Sequence, residues 1–467
     1  MYYISTRGEA GSLGFEDVLL NGLARDGGLY VPQDWPVFSA EEITGFAALS
    51  YTDLAVRVMA PYIGAALTHG ELEDVVETAY ASFDHRAVTP LRQLDAGLWL
   101  LELFHGPTLA FKDVAMQVLG PLFDHALKRR GKRVTIVGAT SGDTGSAAIE
   151  AMRGRDAVDV FILHPHGRTS EIQRRQMTTV ADPNVHNIAI EGTFDDCQAL
   201  VKAMFADSGF RNRIHMAGVN SINWARVMAQ VVYYFSAGVA LGAPHRAVSF
   251  CVPTGNFGDV LAGYVAQRMG LPISRLVIAT NVNDILVRAL KTGRYETGAV
   301  TPTVSPSMDI QVSSNFERLL FDATGRDAGA VRAMMASLEQ SGGFTLAHGA
   351  LDSIRARFDT VRVSEEETFT MIRHVYEDTG LQIDPHSAVG VRAGSEAWRA
   401  HRDIPMVCLA TAHPAKFAKV VTQATGTPVF LPPRLADLME LEEHYDVLPD
   451  DIMKVQAYIQ ARSRAAA

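Results

Sequence analysis

The sequence predicts an α/β fold with mainly parallel sheets flanked by helices, preceded by a helical N-terminal domain. Helical patterns with turn residues fill the first 80 residues, and little strand pattern occurs before about residue 97. From Leu98 onward, short β-rich runs alternate with helical runs, which is typical of parallel sheets covered on both faces. Two glycine-rich segments each follow a strand and precede a helix, and α/β sheets bind ligands at such strand ends.

The N-terminal domain, residues 1–95, is expected to consist of short helices separated by turns. The apolar spacing from Phe15 to Leu23 predicts a helix. The sequence Asp-Gly-Gly at 26–28 then predicts a turn before a short extended run from Leu29 to Val31. Ser39, followed by two glutamates, begins another helix.

Residues 96–350 are expected to form the α/β core. The longest apolar stretch of the chain, Val227 to Ala243, is marginal for a membrane span, which needs ~20 apolar residues, so a buried helix is favoured. The predicted strands are 133–137, 158–163, 185–190, 247–252 and 275–279. The predicted helices are 146–152, one capped by Ser170, one opened by Asp195 or Asp196, 222–241 and 260–269.

Residues 351–467 are expected to complete the core and the site. Ser364 to Asp378 has the pattern of an amphipathic helix with an acidic first turn, and Pro405 to Leu409 that of a short buried strand. The tail from residue 460 onward is expected to fray.

Composition excludes several classes of protein. With 48% apolar and 20% charged residues among 467, the chain is neither disordered nor fibrous. The 52 acidic against 42 basic residues leave a net charge of −10, which disfavours nucleic acid as a partner. The three cysteines lie far apart without CxxC spacing, so neither a disulfide framework nor a metal site is expected. The N-terminus has no apolar signal-peptide core, and we predict a cytoplasmic protein without a membrane partner.

A candidate catalytic lysine lies in the segment HGPTLAFKD, residues 105–113. Lys112 follows a Gly-Pro turn and stands between Phe111 and the apolar run from Val114 to Met116. A lysine is usually a solvated surface residue. An ammonium group in apolar surroundings, however, has a lowered pKa, which is what a lysine that forms a Schiff base needs.

Three further segments have the spacing of ligand-binding loops. In SGDTGS, residues 141–146, free N–H groups at a helix start can hold an anion, but the segment matches neither nucleotide-binding glycine motif. In PTGNFGD, residues 253–259, successive N–H groups suit a phosphate. ATAHPAKF, residues 410–417, places a hydroxyl at a strand end. Each segment by itself is equally consistent with a structural turn.

In this order, the four segments resemble the threonine synthase family, which consists of fold-type II pyridoxal-phosphate enzymes. The resemblance extends to YISTRG, DGGLYVP, NSINWAR and DPHSAV, at residues 3–8, 26–32, 220–226 and 384–389, and so covers nearly the whole chain. It is similar to the fungal and bacterial branch, which lacks the long extension through which S-adenosylmethionine activates the plant branch.

The resemblance implies a pyridoxal 5'-phosphate site. Lys112 would carry the cofactor and then move protons, and Thr411 would face the pyridine nitrogen with a neutral hydroxyl. The other implied cofactor-binding residues are Gly255, Asn256, Phe257 and Asp259.

The implied reaction converts O-phospho-L-homoserine and water into L-threonine and phosphate. The substrate phosphate needs a cation, for which Arg226 is the first candidate and Lys416 the second. A carboxylate cannot donate a hydrogen bond, so Asp143 is expected to orient its loop or to accept from the substrate ammonium. The candidate residues for the substrate carboxylate are Ser141, Gly142, Asp143, Thr144 and Gly145, and the neutral donors for the phosphate are Ser141, Ser221 and Asn223.

Two alternatives remain open at this point. One is another fold-type II enzyme, a threonine dehydratase or a cysteine synthase, which the long N-terminal domain and HGPTLAFKD disfavour. The other is a paralogue that binds phosphorylated metabolites or a protein partner without catalysis, which the presence of Lys112, Asn256 and Thr411 disfavours. The oligomeric state, monomer or dimer, is left open. The segment SSNFER, residues 313–318, also looks family-like but has no derived role.

Overall fold

The N-terminal segment packs short helices beside a two-stranded antiparallel ribbon. The structure is a computed structural model that describes residues 1–466. Ser39 begins its helix with a reciprocal capping box to Glu42, as its sequence predicts. The elements are β1 (Tyr3–Ser5), α1 (Phe15–Asn21), β2 (Tyr30–Pro32), α2 (Ala40–Phe46), α3 (Tyr51–Ile63) and α4 (His69–Tyr80).

Strands and helices alternate from residue 98 to residue 462, as predicted, whereas the strand Leu91–Asp95 lies before residue 97, where the sequence shows little strand pattern. Up to residue 240 the elements are β3 (Leu91–Asp95), β4 (Leu98–Glu102), α5 (Lys112–Arg130), β5 (Val134–Ala139), α6 (Asp143–Met152), β6 (Val158–Pro165), α7 (Glu171–Thr178), β7 (Val185–Glu191), α8 (Phe194–Ala206), α9 (Ser208–Arg213), β8 (Met216–Ala217) and α10 (Trp224–Ala240). They continue with β9 (Val248–Pro253), α11 (Gly258–Arg268), β10 (Ile273–Thr280), α12 (Ile285–Thr292), β11 (Arg294–Glu296), α13 (Phe316–Ala323), α14 (Ala328–Ser341), β12 (Gly343–Thr345) and α15 (His348–Arg355). The last elements are β13 (Phe358–Arg362), α16 (Glu365–Thr379), α17 (Pro385–Ala400), β14 (Met406–Ala410), α18 (Ala418–Thr425), β15 (Asp446–Pro449) and α19 (Ile452–Arg462).

Two mainly parallel sheets form the core and confirm the predicted fold class. The larger has the order β13-β10-β9-β14-β4-β3 and is parallel except for β3, which pairs antiparallel with β4 at the edge. The smaller has the order β15-β7-β6-β5-β8 and is parallel throughout. Strands after residue 351 join both sheets. The domain boundaries at residues 95 and 350 stay predictions.

The apolar run that the sequence places in a buried helix is α10, which packs against α3, α5 and α11. Its first residue, Trp224, is fully buried. Within residues 1–466, no helix is long and apolar enough to cross a membrane.

Two local predictions were wrong. The helix expected to open at Asp195 or Asp196 is capped by Thr193, with Asp196 completing its capping box. The tail does not fray up to residue 466: the hydroxyls of Ser463 and Thr135 lie 2.7 Å apart, and Arg464 pairs with the buried carboxylate of Asp159. Polar side chains therefore fasten the tail to β5 and β6, which its composition does not indicate. Ala467 lies outside the described residues.

Candidate active site

Two distant segments pair to bring the candidate catalytic lysine to a strand end. Ala110 and Ala412 form an isolated antiparallel bridge. Around it, the N–H of Phe111 donates to the carbonyl of Thr411 at 2.8 Å. The strands that precede these segments, β4 and β14, are neighbours, so their carboxyl ends place HGPTLAFKD and ATAHPAKF side by side.

Asp143 is the centre of a buried cluster of charges. Its carboxylate lies 3.3 Å from the Nζ atom of Lys112 and 2.9 Å from that of Lys416. The side-chain amide of Gln173 donates to the same carboxylate at 2.7 Å. Lys416 also donates to the carbonyl of Thr108 at 2.7 Å, and its side chain is fully buried. The predicted loop residue Asp143 therefore meets both predicted lysines.

Burial and neighbouring charges set the protonation of this cluster. Burial lowers the pKa of Lys112; Asp143 opposes the shift, while the cations Lys416 and Arg226 add to it. Burial by itself would raise the pKa of Asp143, but Lys112 and Lys416 hold that pKa well below its ordinary value. At neutral pH Asp143 is thus a carboxylate, and Lys112 gives up its proton more readily than a surface lysine.

The turn before Lys112 is held by its own motif. The Thr108 hydroxyl and N–H donate to the carboxylate of Asp113 at 2.6 and 2.8 Å. Burial raises the pKa of Asp113 to about 6, although these bonds favour the ionised form. Leu109 has a φ of +64°, which is unusual for a non-glycine residue. The turn that orients Lys112 is thus stabilised by side chains inside HGPTLAFKD.

The 141–145 loop offers free N–H groups at the start of α6. Thr140 Oγ1 accepts the N–H groups of Gly142 and Gly145, both at 2.9 Å. Within residues 1–466, the N–H groups of Ser141, Asp143 and Thr144 donate to no protein acceptor. Free N–H groups at a helix N-terminus attract an anion, so the loop suits a carboxylate.

The 253–259 loop offers a second set of free N–H groups at the start of α11. None of the N–H groups from Gly255 to Asp259 has an acceptor in the described part of the chain. A Cβ atom at Gly255 would lie 2.7 Å from the Ser307 carbonyl oxygen, so only glycine fits there. Phe257 adopts a left-handed φ of +64° where the loop enters the helix. Strained turns with unpaired N–H groups are typical of phosphate-binding loops.

The side chain of Asp259 forms a structural contact with two tyrosines. The hydroxyls of Tyr233 and Tyr234 both donate to its Oδ1 atom, and its Oδ2 atom is buried without a partner among the residues that the structure describes. Burial raises the pKa of Asp259 to about 6, with the tyrosine bonds opposing the shift. The backbone N–H group of Asp259 is therefore the part of this residue that remains available to bind the cofactor.

Thr411 is positioned by the DPHSAV segment. Its N–H donates to the Ser387 hydroxyl at 3.2 Å. Asp384 caps α17, accepting the N–H groups of His386 and Ser387 as well as their side chains. The His386 Nε2 atom accepts the N–H of Ser307 at 3.1 Å, which requires the neutral imidazole with its proton on Nδ1. This segment is thus a helix start that supports Thr411.

Arg226 is a buried cation without a carboxylate partner in the described chain. Its residue is 4% exposed, one terminal nitrogen donates to the Val219 carbonyl at 3.3 Å, and Nε has no partner. Burial lowers its pKa to about 10, so it keeps its charge at neutral pH. Asn223, by contrast, caps α10 through Oδ1 and donates to the Leu19 carbonyl through Nδ2. An unpaired buried guanidinium marks an anion site.

Sequence reasoning missed several supporting residues. Gln173 orients Asp143, Ser387 orients Thr411, and Thr108 holds the turn before Lys112. Thr108 and Ser387 lie inside quoted motifs, so a search for hydroxyls near the key residues would find them. Gln173 lies in an ordinary amphipathic helix, and no local signal distinguishes it.

The residues present fit pyridoxal phosphate. The unpaired N–H groups from Gly255 to Asp259 suit its phosphate, and the buried amine of Lys112 suits its carbonyl carbon. Thr411 lies at the adjacent strand end. The fold and the site together define a fold-type II pyridoxal-phosphate-dependent enzyme.

Comparisons with known proteins identify the family. Three family models match the chain: Threonine synthase N terminus over residues 2–80, Pyridoxal-phosphate dependent enzyme over residues 83–406, and Threonine synthase, C-terminal, over residues 387–459. The threonine synthase of Pseudomonas aeruginosa is 55% identical over 98% of each chain. The structure of pyridoxal-phosphate-bound threonine synthase from Brucella melitensis is 56% identical, with a TM-score of 0.97 over 99% of this chain and 100% of that chain. The yeast threonine synthase structure is 42% identical, with a TM-score of 0.94 over 99% and 98%. The chain belongs to the threonine synthase family and is a pyridoxal-phosphate-dependent lyase.

Proposed function

We propose that the chain converts O-phospho-L-homoserine and water into L-threonine and phosphate. The observation that carries this proposal is a buried amine with a buried unpaired guanidinium among its charged neighbours, together with free N–H groups in two loops that each follow a strand, all within residues 1–466. When bound, pyridoxal phosphate supplies an electron sink for charge that develops on the carbon atoms of the amino acid. The 253–259 loop would hold its phosphate and Thr411 would face its ring nitrogen.

Lys112 would act as the catalytic base. The lowered pKa of its amine favours the neutral form that can accept a proton. The reaction needs proton removal first at Cα and then at Cβ of the substrate. One amine at the end of a flexible side chain can reach both carbons, so a single lysine suffices.

The substrate would be held at both ends. The free N–H groups of the 141–145 loop suit its carboxylate, and the Asp143 carboxylate can accept from its ammonium group. Arg226 is the better candidate for its phosphate, because Lys416 is already engaged by Asp143 and Thr108. Loss of phosphate concentrates charge on its oxygens, and a fixed buried cation stabilises that charge. All these groups come from one chain. The three cysteines are unpaired, in keeping with the predicted cytoplasmic location.

The test supplies O-phospho-L-homoserine to the purified holoenzyme and measures threonine and phosphate together. The wild type should release both in equal amounts, and Lys112→Ala should release neither. Arg226→Gln should raise the KM for the substrate about 100-fold, the expected effect of removing a buried charged contact, with cofactor content unchanged. Arg129→Gln, an exposed arginine on α5, is the control and should behave as the wild type. A wild type that binds the substrate without releasing products would instead support a non-catalytic paralogue.

A further inference from the structure

The segment SSNFER, residues 313–318, lies between two parts of the proposed site. On one side it contacts the 253–259 loop, and on the other the 220–226 segment, which contains Arg226. Asn315 and Arg318 are 0% and 2% exposed, so neither contacts solvent. Both side chains are therefore committed to contacts inside the protein.

The amide of Asn315 bridges the two parts. Its Nδ2 atom donates to the Ser221 carbonyl at 3.1 Å and to the Asn256 carbonyl at 3.2 Å. An amide nitrogen carries two hydrogens, so both of its donors are used. Its Oδ1 atom accepts from Arg318, and since a guanidinium only donates, the orientation of the amide is determined.

Arg318, which donates to Asn315, also donates to two backbone carbonyls. Its Nε atom donates to the carbonyl of Tyr30 at 2.9 Å, and one terminal nitrogen donates to that of Ile222 at 2.6 Å. Its guanidinium also lies 5.6 Å from the centre of the Trp224 ring. The rigid guanidinium therefore holds the N-terminal ribbon, the 220–226 segment and Asn315 at set distances.

The same segment engages the carbonyl side of the 253–259 loop. The Ser313 hydroxyl donates to the Gly255 carbonyl at 2.7 Å, and the N–H of Asn315 donates to the Asn256 carbonyl at 3.1 Å. Within residues 1–466, the N–H groups from Gly255 to Asp259 donate to no acceptor. Because Ser313 and Asn315 bind the carbonyl groups of the loop, its N–H groups remain available to an anion.

We propose that Asn315 and Arg318 are positioning residues that set the spacing between the 253–259 loop and the 220–226 segment. The proposal rests on the proposed function, in which these two parts hold the cofactor phosphate and the substrate phosphate. Both side chains are committed to hydrogen bonds within the protein. They act through the carbonyls of Asn256, Ser221 and Ile222, so a change at either one alters both binding events together.

The test replaces Asn315 by Asp, which has nearly the same shape and can still pair with Arg318. The variant loses both donors and turns a carboxylate toward two carbonyl oxygens. Unsatisfied buried acceptors of this kind weaken an interaction about tenfold or more, so Asn315→Asp should raise both the dissociation constant of pyridoxal phosphate and the KM for substrate about tenfold. Cofactor release from the diluted holoenzyme measures the first, and initial rates the second.

The matched control is Asn184→Asp. Asn184 is a buried amide whose Nδ2 atom donates to the carbonyls of Met152 and Val158, away from both parts of the site. This variant should lower the melting temperature but leave cofactor release and KM at wild-type values. If Asn315→Asp behaves like this control, the role of Asn315 is structural only and the proposal is overturned.

A second pair of variants applies if Asn315→Asp does not fold. Arg318→Lys keeps the charge but cannot reach three oxygens at once, and it should shift cofactor release and KM in the same direction. Its control, Arg326→Lys, changes an arginine that donates to Asp322 and to the Pro32 carbonyl but contacts neither part of the site. Equal effects of the two variants would overturn the proposal. A wild type that forms no threonine would overturn the proposed function, while cofactor release would still test the positioning role.

Discussion

At the scale of single residues, one buried carboxylate balances two buried lysines. Asp143 contacts both Lys112 and Lys416, and each of the three side chains is less than 12% exposed. A buried ion that loses its partner is strongly destabilising, whereas an intact network is tolerated. Lys416 therefore keeps Asp143 neutralised whenever Lys112 is engaged elsewhere.

A double-mutant cycle tests this arrangement. Asp143→Asn leaves two buried ammonium groups without a carboxylate and should lower the free energy of unfolding by about 3–5 kcal/mol. Lys416→Gln alone leaves Asp143 paired with Lys112 and should destabilise less. The double variant removes both charges of one pair, so its loss of stability should be smaller than the sum of the two single losses. Urea unfolding of the wild type and the three variants measures these differences. Additive losses would show that Asp143 and Lys416 do not interact.

The sequence identifies Lys112 because its neighbours are apolar and a Gly-Pro turn precedes it. It does not identify Lys416 as the partner of Asp143, because those two residues follow strands of different sheets, β14 and β5, and meet only when the two sheets pack together. The tertiary structure, and not the local sequence, therefore determines whether Lys416 is free to bind an anion.

At the scale of elements, the two glycine loops owe their composition to different contacts. Gly142 has a φ of +151°, and a Cβ atom there would lie 2.5 Å from Gln173 on α7. Gly255 has an ordinary φ, but a Cβ atom there would meet the backbone carbonyl of Ser307. The turns could be predicted from the strand–glycine–helix order, whereas these contacts come from segments distant in sequence.

A substitution at Gly255 tests the 253–259 loop as one unit. A backbone oxygen 2.7 Å away cannot move as a side chain can, so Gly255→Ala should displace the loop and weaken cofactor binding about tenfold or more. Gly349→Ala is the control, because nothing lies within 4 Å of a Cβ atom at that helical position. Cofactor release after dilution, followed by absorbance, distinguishes the two. Unchanged release in Gly255→Ala would mean that the loop tolerates displacement.

At the scale of the whole molecule, net charge and local charge have opposite signs. The chain carries −10, yet Lys112, Lys416 and Arg226 group with Asp143 in its interior. The fold thus concentrates cations where the proposed ligands, both anions, would bind. The net charge disfavours nucleic acid as a partner but does not indicate the substrate.

The acid stability of the molecule combines opposing contributions. Burial lowers the pKa of His164 and His413 to about 4, below the ordinary 6.5, so their stabilising contribution is lost as pH falls from 6.5 toward 4. Burial raises the pKa of Asp113 and Asp259 to about 6, above the ordinary 3.8, so their contribution grows as pH falls through 6. The two pairs offset each other over the same range.

Replacing one of the two histidines tests its contribution to the pH dependence of stability. His164 is 1% exposed, and the ionisable side chains around it are His166, Arg174 and Glu443. His164→Phe removes one contribution that is lost in acid, so the variant should gain stability relative to the wild type between pH 6.5 and 4.5, by at most about 3 kcal/mol. Unfolding midpoints of both proteins across this range measure the gain. A difference that does not change with pH would contradict the assignment.

The sequence by itself determined the fold class, the alternation of strands and helices, the glycine turns and the candidate lysine. Each of these depends on the spacing of apolar, glycine and capping residues within one short segment. Only the tertiary structure decided which charges are partners, which cation stays unpaired and what SSNFER does. Asn315 and Ser221, for example, are 94 residues apart, and their contact exists because α10, α11 and α13 pack together. Contacts of this kind depend on the packing of whole elements, and local patterns do not encode them.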